Sequence, residues 1–544
     1  MVEHSREYPS LNLKINPQIL QDYHKILVEK TFASIEFSTK DKTKAIYLDH
    51  RVGIILDLIG VKLKNFFDDL ITLEPGCFLD TKCFNVVYLS RPSNECCKIV
   101  ESHINDNIKK KGYHEFFLIF VPTYTIICKK ILENSGILKF LNVGEMRLDF
   151  TFIEEDVISL EDVFSFQNLM LYNDYSIISQ IVRVLNKIQS LYGNIKNKYA
   201  KGEWSSLLFE KLNKESERKK YSNESEINYM FILDRTIDLF TPLCMQMTYE
   251  GQIDEYLELK TTLLQTEIEN EDKDKDKQNT KLLKILNNKD IIFKEIRDKL
   301  LTQLSSFFPK KVLFIQQVFA EKDIHKRTTE ITEYMEKINN MKLIQQKTSI
   351  PDHVNISSKI SNIASSFLYN IFHDLEMSIM LNDSLSISSE LLTNLCTELK
   401  HRNNIVRLFV LLNLTQTIPL SSYQELTKII IDAFGVEEIV RIANMEKIGI
   451  LKSQEKSSWP DIRKNFNLIN IEVDLNNQND LSYVYNGYSP LLVKFVELLL
   501  IKGFKTNELE LIKGPTRISN IEENKSQIRK ENFTKLETII LVVV

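Results

Sequence analysis

The first half of the chain carries short runs of almost unbroken apolar residues, and a segment with helical periodicity follows each run. Because apolar and polar residues do not alternate within a run, each run is typical of a strand that is covered on both faces of a sheet. Strands that alternate with helices predict parallel α/β layers, and we expect two such units, of which the first ends near Phe140. The runs begin at Ala45 (AIYLD), Phe84 (FNVVYLS), Glu115 (EFFLIFVP), Arg147 (RLDFTFI) and Asn228 (NYMFILDR).

The middle third of the chain has a different pattern. Between Gln252 and Phe434 there is no glycine, and only three prolines interrupt a sequence that is rich in Leu, Ile, Lys and Glu at helical spacing. Glycine and proline are the residues that most often end a helix. We therefore expect this third to be almost wholly α-helical.

Two stretches of the middle third place apolar residues on one face of a helix. Such a stripe either faces the core, which is the more common case, or binds another helix, and the spacing fits both interpretations. The first stripe consists of Ile292, Ile296, Leu300 and Leu304. The second consists of Ile331, Tyr334, Met335, Ile338 and Met341.

Two polar segments and one apolar end complete the pattern. Residues 267–279 (EIENEDKDKDKQN) alternate charges without apolar anchors, which predicts a solvated loop, and the polar residues 213–226 predict a surface connection. The final residues, 535–544 (KLETIILVVV), have the pattern of a buried strand, but no helix follows to cover it. An uncovered strand of this kind is prone to aggregation.

Composition and charge exclude several classes of protein. With 544 residues, 43% of them hydrophobic, the chain has enough apolar material for roughly three or four domains. A net charge of -5 provides no overall positive field for nucleic acid or an anionic membrane. The charged N-terminus does not have the pattern of a secretory signal, and no apolar run approaches the length of a membrane span. We expect a cytoplasmic protein whose seven scattered cysteines stay reduced.

The sequence patterns of catalysis and cofactor binding are missing. The chain has no GxxxxGK[ST] or GxGxxG phosphate-binding loop, no GxSxG nucleophile elbow and no HExxH zinc motif. None of the nine histidines lies four residues from another or beside a cysteine pair, so no local metal site is built. We predict that the protein is not an enzyme and has no cofactor.

One polar segment, LDRTIDLFTPLCMQMTYEGQIDEYL at residues 233–257, is unlike generic core. The strand before it delivers Asp234, Arg235 and Asp238 to its carboxyl end, where the arginine can bridge either carboxylate. The chain restarts at a proline and continues as a helical turn. That turn adds Pro242, Gln246, Tyr249 and Glu250.

This segment has two interpretations. The two carboxylates could carry out acid/base or metal chemistry, or the charged residues could form a polar lock that fixes one domain against the next. Acid/base and metal sites usually include a histidine or a third carboxylate, and the segment offers neither at a suitable spacing. We favour the lock.

The same segment resembles a motif of the SM (Sec-one/Munc-eighteen-like) family of SNARE regulators, LDR..D..TPL..Q.TYEG.IDE, and it is most similar to the class C vacuolar protein sorting branch. Further similarity runs in order along most of the chain. An ordered set of matches is far more specific than one motif. The matches are YHEFFLIFVPTYTIICKKILENSGIL (113–138), LNNKDIIFKEIRDKL (286–300), ANMEKIGILK (443–452) and DLSYVYNGYSPLLVKFVELL (480–499).

The resemblance implies an arch-shaped fold with two parallel-sheet α/β domains and a large helical third domain. The third domain is inserted into the second, whose sheet the C-terminal segment completes. Family members continue beyond such a segment into a turn, a helix and a further strand, so the resemblance also implies a shortened or degenerate end at Val544. The implied ranges are 24–140 for domain one, 141–238 and 465–544 for domain two, and 239–464 for domain three, with the charged loop 267–279.

The resemblance also implies a non-enzymatic function. Family members hold SNARE helices in register, so that a fusion-competent four-helix bundle forms more readily. A hairpin of the third domain and the cleft of the first are implied to bind these helices. The SNARE-binding candidates are Ile292, Ile296, Leu300, Ile331, Tyr334, Met335 and Ile338.

Members of the class C branch are implied to be core subunits of the HOPS and CORVET tethering complexes. The implied location is peripheral on late endosome, vacuole or lysosome membranes, reached through SNAREs and a class C solenoid subunit. The candidates for docking this tethering subunit are Phe434, Ile439, Tyr483, Tyr485 and Tyr488.

Two alternative functions remain open at this point. The chain could be an SM protein of another membrane step, at the Golgi or plasma membrane, although the intact TYEGQIDE and YVYNGYSPL segments favour the vacuolar branch. It could also be an uncharacterised hydrolase that uses Asp234, Asp238 and a distant histidine.

Overall fold

A computed structural model gives the structure of the protein at residues 18–33, 35, 43–154, 156–219, 221, 225–257, 259–268, 280–322, 330–381, 394–396, 401–474, 480–503, 507–519 and 539–544. Within these ranges, the side chains of residues 18–21, 266–268, 280–283, 318–322, 330–343, 367, 502, 507 and 539 are not described.

The chain forms two compact units. Unit 1 consists of Met1–Val163, Ser179–Ile195 and Lys211–Ile227, and unit 2 of Phe164–Ile178, Lys196–Glu210 and Asn228–Val544.

Unit 1 contains a five-stranded parallel sheet in the order β2-β1-β3-β4-β5. Three of these strands confirm predicted apolar runs. The other two, β2 and β5, are edge strands with mostly exposed side chains, and for this reason they carry no apolar run. The strands are β1 (Lys44–Leu48), β2 (Asp69–Thr72), β3 (Asn85–Ser90), β4 (Glu115–Phe120) and β5 (Leu141–Glu145).

Helices cover both faces of this sheet, because successive side chains of a strand point to opposite faces. Val87 and Leu89 of β3 pack in one apolar cluster with α1 (Gln18–Ala33) and α2 (His50–Ile59). The intervening residues of β3 pack in a second cluster with two other helices. These are α3 (Asn94–Lys109) and α4 (Ile126–Asn134).

The predicted strand RLDFTFI is much shorter in the structure than its apolar run suggested. Only β6 (Thr151–Phe152) forms there, and it pairs antiparallel with β7 (Ile158–Ser159). Several apolar side chains of this run instead fill core positions outside regular strands, including Leu148 and Phe150.

The parallel strands of unit 2 form a four-stranded sheet in the order β13-β8-β9-β14. Strands β8, β9 and β14 are parallel, and β13 is antiparallel to β8. The strand predicted at the end of the chain is confirmed, and it leaves Leu541 and Val543 exposed. The strands are β8 (Asn197–Lys201), β9 (Tyr229–Leu233), β13 (Thr516–Ser519) and β14 (Ile539–Val543).

Helices make up most of the rest of unit 2, as the middle third predicted. Helices α6 (Ser176–Tyr192) and α7 (Glu203–Arg218) contribute residues to both units. The remaining helices are α5 (Ser165–Tyr172), α8 (Tyr249–Leu257), α9 (Ile291–Ile296), α10 (Leu301–Lys322), α11 (Glu330–Ala364), α12 (Phe367–Leu381), α13 (Arg402–Thr415), α14 (Leu420–Phe434), α15 (Glu437–Lys447), α16 (Trp459–Asn465), α17 (Leu491–Lys502) and α18 (Asn507–Glu510).

The middle third is not wholly helical, and that expectation was wrong at one place. An antiparallel three-stranded sheet consists of β10 (Leu259–Lys260), β11 (Leu263–Ile268) and β12 (Thr280–Ile285). The turn between β10 and β11 uses a threonine at positive φ, Thr261, where a glycine is more usual. The absence of glycine was therefore a poor guide here. The predicted loop 267–279 lies outside the described residues except for the last two residues of β11.

Candidate functional site

Asp234 follows β9 directly, is almost fully buried and caps a helix. Its carboxylate accepts hydrogen bonds from the backbone N–H of Trp204 at 3.2 Å and of Ser205 at 2.7 Å, and from the Ser205 hydroxyl. These donors belong to the first turn of α7, whose N–H groups have no partner within the helix. Burial raises the pKa of Asp234, although the hydrogen bonds act in the opposite direction.

A glycine allows Asp234 to approach α7 this closely. Gly202 has a φ of +113°, and a Cβ at this position would overlap the Asp234 carboxylate. Only glycine adopts this conformation without strain and leaves the space open. The carboxylate thus occupies the place at which a helix N-terminus could hold an anion, which assigns Asp234 to capping.

Asp238 is fully buried and forms the centre of a polar junction. One carboxylate oxygen accepts the backbone N–H of Thr241 at 2.9 Å, and the other accepts the Thr241 hydroxyl at 2.6 Å and the backbone N–H of Leu492 at 3.2 Å. The Arg235 guanidinium donates to the Asp238 carbonyl at 2.8 Å and lies 3.7 Å from its carboxylate. The hydroxyls of Thr241 and Tyr488 are 2.9 Å apart. We call these five residues the Asp238 junction.

The junction ties three parts of unit 2 together. Pro242 lies in the short 3-10 turn Thr241–Leu243, next to the Asp238 carboxylate. Leu492 lies in the first turn of α17. The backbone N–H of Arg235 also donates to the carbonyl of Val544 at 2.8 Å, just past β14. Asp238 therefore joins the end of β9 to a helix that is more than two hundred residues away in sequence.

Tyr249 and Glu250 do not belong to the Asp238 junction. The Tyr249 hydroxyl lies 3.1 Å from Nδ1 of His353, and Glu250 accepts two hydrogen bonds of 2.8 Å from Arg297. The latter is a bidentate pair, the strongest geometry for two such groups. The structure thus divides the six predicted lock residues among separate contacts.

A buried carboxyl group that the sequence analysis missed lies near the same segment. Glu376 on α12 accepts the backbone N–H of Met245 at 2.8 Å through Oε1, while its Oε2 has no hydrogen-bond partner among the residues that the structure describes. Burial raises the pKa of Glu376 to about 7, and the charge of Arg407 acts against this shift. Arg407 is itself paired with Glu255 at 2.8 Å. Sequence offered no signal for this cluster, because its members come from distant segments.

The polar contacts of these sites bear on both interpretations of the segment. In the portion of the chain that is described, no group of three or more His, Cys, Asp and Glu side chains could hold a metal ion. The carboxylates of Asp234 and Asp238 bind backbone N–H groups and hydroxyls at helix and turn starts. This arrangement fits the lock interpretation better than acid/base chemistry.

The first apolar stripe faces the core. Ile292, Ile296 and Leu300 are all buried, and so is Leu304. The stripe is also divided between two helices, because α9 ends at Ile296 and α10 begins only after Leu300. These side chains have no exposed surface for a SNARE helix, which corrects their selection as docking residues.

The second stripe lies on the N-terminal part of α11. The backbone there is helical, as predicted, from the start of α11 onward. The side chains of Ile331, Tyr334, Met335, Ile338 and Met341 lie outside the described residues.

Only one of the five predicted tether-docking residues is well exposed. Ile439 is 51% exposed, and Phe434 is half-buried. Tyr483, Tyr485 and Tyr488 are buried, so they cannot present a surface to a partner. The YVYNGYSPL segment is therefore a core element, and its hydroxyls serve internal contacts such as that of Tyr488 with Thr241.

Exposed apolar residues occur at many other positions, among them three groups. In unit 2, Val436 and Val440 flank Ile439, and Leu313 and Phe314 lie on α10. In unit 1, the residues of the third group lie beyond the carboxyl ends of β2 and β4. They are Phe78, Ile126 and Ile127. Sequence alone could not find them, because exposure depends on what packs against each face.

No helix within the described residues has both the length and the apolar content that crossing a membrane requires.

Comparison with known proteins identifies relatives over most of the chain. The chain is 28% identical over 485 residues to the vacuolar protein-sorting-associated protein 33 homolog of Arabidopsis thaliana, which covers 87% of this chain and 80% of the relative. It is 27% identical over 499 residues to vacuolar protein sorting-associated protein 33A of Rattus norvegicus, which covers 86% of this chain and 81% of the relative.

Solved structures share the fold. The SM protein Vps45 in complex with the Qa SNARE Tlg2 has a TM-score of 0.57 at 14% identity, over 96% of this chain and 95% of that one. Unc18 in the Unc18–syntaxin 1 complex of Monosiga brevicollis has a TM-score of 0.56 at 13% identity, over 96% of both chains. The predicted fold class, parallel-sheet α/β domains with a large helical part, is confirmed.

The pattern of the Sec1 family matches residues 48–544. This range includes the Asp238 junction, the sheet of unit 2, the helical middle of the chain and the sheet of unit 1 from the last residue of β1 onward. The chain belongs to the Sec1 family, whose SM proteins regulate SNAREs in vesicle trafficking.

Proposed function

We propose that this protein is a non-enzymatic scaffold that binds SNARE helices and promotes their assembly, as a core subunit of HOPS- or CORVET-type tethering complexes. Its site of action on this proposal is the late endosome, vacuole or lysosome. The observation that carries the proposal is the likeness to vacuolar protein-sorting-associated relatives over more than four fifths of the chain. The relatives' names support the vacuole as the site of action, and membership of the Sec1 family supports SNAREs as the binding partners.

The proposed SNARE site in unit 2 is the exposed side of the α10 and α11 hairpin. Leu313 is 58% exposed and Phe314 is 53% exposed, while Leu304, Phe308 and Ile315 on the same helix are buried. Ile344 on α11 is also exposed. An amphipathic SNARE helix would cover these apolar groups, and the buried side of α10 would hold them in place.

Unit 1 offers a second apolar surface at the carboxyl edge of its sheet. Phe78 extends from a long loop after β2, and Ile126 and Ile127 begin α4. The loop is held down by the buried Tyr47, whose hydroxyl donates to the Phe78 carbonyl at 3.2 Å and accepts the N–H of Asp80 at 3.0 Å. Because the backbone of this loop is already held, little entropy is lost in ordering it when Phe78 binds a partner.

The proposed tether-docking surface is the start of α15. Val436 is 74% exposed and Val440 is 63% exposed, one helical turn apart with Ile439 between them. Arg402 holds the first turn of this helix through an ion pair with the buried Glu438. A solenoid subunit that packs its own apolar helix here would bury all three side chains.

We also propose that the chain has three domains, at 24–140, 141–238 with 465–544, and 239–464. On this division the Asp238 junction lies where domain two leads into domain three. The hydrogen bond from the Met247 N–H to the Val484 carbonyl, 2.7 Å long, and that from the Tyr483 hydroxyl to the Asp298 carbonyl, 3.0 Å long, would then cross from one domain to the other.

Affinity purification of the native protein from its source cell tests the proposed function. Mass spectrometry of the purified material should find endolysosomal SNAREs and class C solenoid subunits at near-stoichiometric amounts. Recovery of Golgi or plasma-membrane SNAREs without tethering subunits would indicate that the protein acts at another membrane step. Recovery without any SNARE would contradict the scaffold proposal.

A further inference from the structure

A cluster of polar side chains in unit 2 is centred on Asp290. Its Oδ1 accepts two backbone N–H groups of the first turn of α9, at 3.0 and 3.2 Å. Its Oδ2 accepts the Ser349 hydroxyl and lies 3.1 Å from Nε2 of His353 and 3.2 Å from Nζ of Lys284. One carboxylate thus joins the start of α9, strand β12 and helix α11.

Further contacts link the other members of this Asp290 cluster. Nζ of Lys284 donates to the Ser349 hydroxyl at 2.9 Å and to the Asp352 carboxylate at 3.0 Å. The Tyr249 hydroxyl lies 3.1 Å from Nδ1 of His353. With a neutral imidazole, Nε2–H donates to Asp290 and Nδ1 accepts from the tyrosine, so every ring nitrogen has a partner.

The charge states of the cluster agree with this arrangement. Burial lowers the pKa of His353, and the hydrogen bond to Asp290 only partly opposes this effect. Burial acts to raise the pKa of Asp290, but hydrogen bonds from His353 and Ser349 outweigh it and hold the pKa well below its usual value. At neutral pH the cluster therefore contains an ionised Asp290 beside a neutral His353.

The cluster lies around a proline inside α11. Pro351 lies inside the helix and supplies no backbone N–H, and prolines are the commonest cause of a bend in a long helix. Ser349 precedes it, and Asp352 and His353 follow it directly. Because the backbone gives less restraint at a proline, the direction of the helix there depends on its tertiary contacts.

The burial of α11 changes at the same place. Ile350, Ile356 and Ile360 pack into the core, whereas four of the five side chains at 344–348 are exposed. The cluster is therefore located where α11 passes from the core to the exposed part of the hairpin. That exposed part is where we have placed the SNARE site.

We propose that the Asp290 cluster is a positioning site, which fixes the direction in which the N-terminal part of α11 leaves the core of unit 2. Lys284 on β12 and Asp290 at the start of α9 contact the helix. Their contacts on α11 are Ser349 and His353, one on each side of the proline. Its biological meaning, the presentation of the hairpin to SNAREs, rests on the proposed function. The cluster's effect on the helix does not.

Electron–electron distance measurements between two spin labels test the proposal. The labels are placed at Ile344→Cys and Asn362→Cys of the full chain, about 27 Å apart along an unbroken helix at 1.5 Å per residue. The background carries Cys77→Ser, which removes the one described cysteine that is not buried. The unmodified cluster should give one narrow distance distribution.

Asp290→Asn is the main variant, because its remaining oxygen still caps α9 while its amide places a donor opposite Lys284 and Ser349. We expect the distance distribution to widen at least about twofold. Lys284→Met, the second variant, should widen it as well. The control is Asp352→Asn, which changes the most exposed member of the cluster and should keep the distribution narrow. The positioning site is excluded if the two cluster variants fold and keep the narrow distribution.

SNARE binding is measured separately on the same cluster variants without cysteine substitutions or labels, because Ile344 lies in the proposed SNARE site, with recombinant SNARE motifs from the source cell as probes. If only about a tenth of the molecules keep the orientation of α11 that binds SNAREs, the affinity for the SNARE motifs should fall about tenfold. A widened distribution in a protein whose unmodified form binds no SNARE would support the positioning site and contradict the proposed function. An unchanged distribution would overturn the positioning site whatever the SNARE result.

Discussion

The carboxylate of Asp238 accepts a hydrogen bond of 3.2 Å from the backbone N–H of Leu492, a residue 254 positions further along the chain. The same oxygen accepts the Thr241 hydroxyl, and Asp238 is fully shielded from water. A buried acceptor with several donors is costly to disturb, because each donor then loses a partner that water cannot replace. The junction is thus a specific point at which the end of β9 depends on a distant helix.

Asp238→Asn should destabilise the protein by about 3 kcal/mol, because the new amide group faces donors in place of an acceptor. Urea denaturation followed by circular dichroism measures the change. Asp432→Asn, an exposed acid on α14, is the matched control and should change the free energy of unfolding by less than about 0.5 kcal/mol. An equally small change for Asp238→Asn would show that the junction is not a lock.

Glu376→Gln should remove part of the pH dependence of stability. The pKa of Glu376 is raised from 4.5 to about 7 in the folded protein, so the unfolded chain releases this proton first. The resulting stability is fully present below pH 4.5 and is lost as the pH rises to about 7, a total of about 3 kcal/mol. Urea denaturation at pH 5 and pH 8 should show a smaller difference for the glutamine variant.

The neighbouring Glu255→Gln provides the control for this prediction. It leaves Arg407 without its 2.8 Å partner, so it should destabilise the protein at both pH values. If Glu376→Gln destabilised the protein equally at pH 5 and pH 8, Glu376 would be ionised in the folded state at both pH values, and the predicted shift would be wrong.

Leu313→Asp combined with Phe314→Asp should weaken the binding of SNARE motifs while the protein stays folded. Both side chains are more than half exposed, so the added charges remain in water. Fluorescence anisotropy with labelled SNARE motifs measures the affinity, and we expect a loss of at least about tenfold. Val354→Asp, on the less exposed part of α11, is the control for an added charge elsewhere on the hairpin.

Ile296→Asp gives the contrasting case for the first apolar stripe. This side chain is fully buried between α9 and its neighbours, so an uncompensated carboxylate should unfold or severely destabilise the protein. If the variant folded normally and had lost only SNARE binding, we would infer that the first apolar stripe is the SNARE-binding site after all.

Val436→Asp combined with Ile439→Asp should abolish co-purification with the class C solenoid subunit and leave SNARE binding intact. Two charges in the centre of an apolar contact are unfavourable, because the partner would have to desolvate them. The control is Ile471→Asp, which changes an isolated apolar residue that is 83% exposed. Retention of the tethering subunit by the double variant would move the docking surface away from the start of α15.

The sequence by itself determined four of the central strands of the two parallel sheets. The apolar runs at Ala45, Phe84, Glu115 and Asn228 became β1, β3, β4 and β9, because a strand with helices on both faces needs apolar residues at every position. The edge strands β2, β5 and β13 and the central, partly polar strand β8 were not predicted. An edge or a partly polar strand carries no unbroken apolar run, and only pairing with its neighbour defines it.

The sequence also determined the family, since an ordered series of motifs does not depend on tertiary contacts. The faces of the helices were decided by the tertiary structure alone. Periodicity showed that Ile292 and Ile296 share a face, but only packing decided that this face is buried while Leu313 and Val436 are exposed. The partners of Asp238, Asp290 and Glu376 likewise come from distant segments, and only the folded chain brings them together.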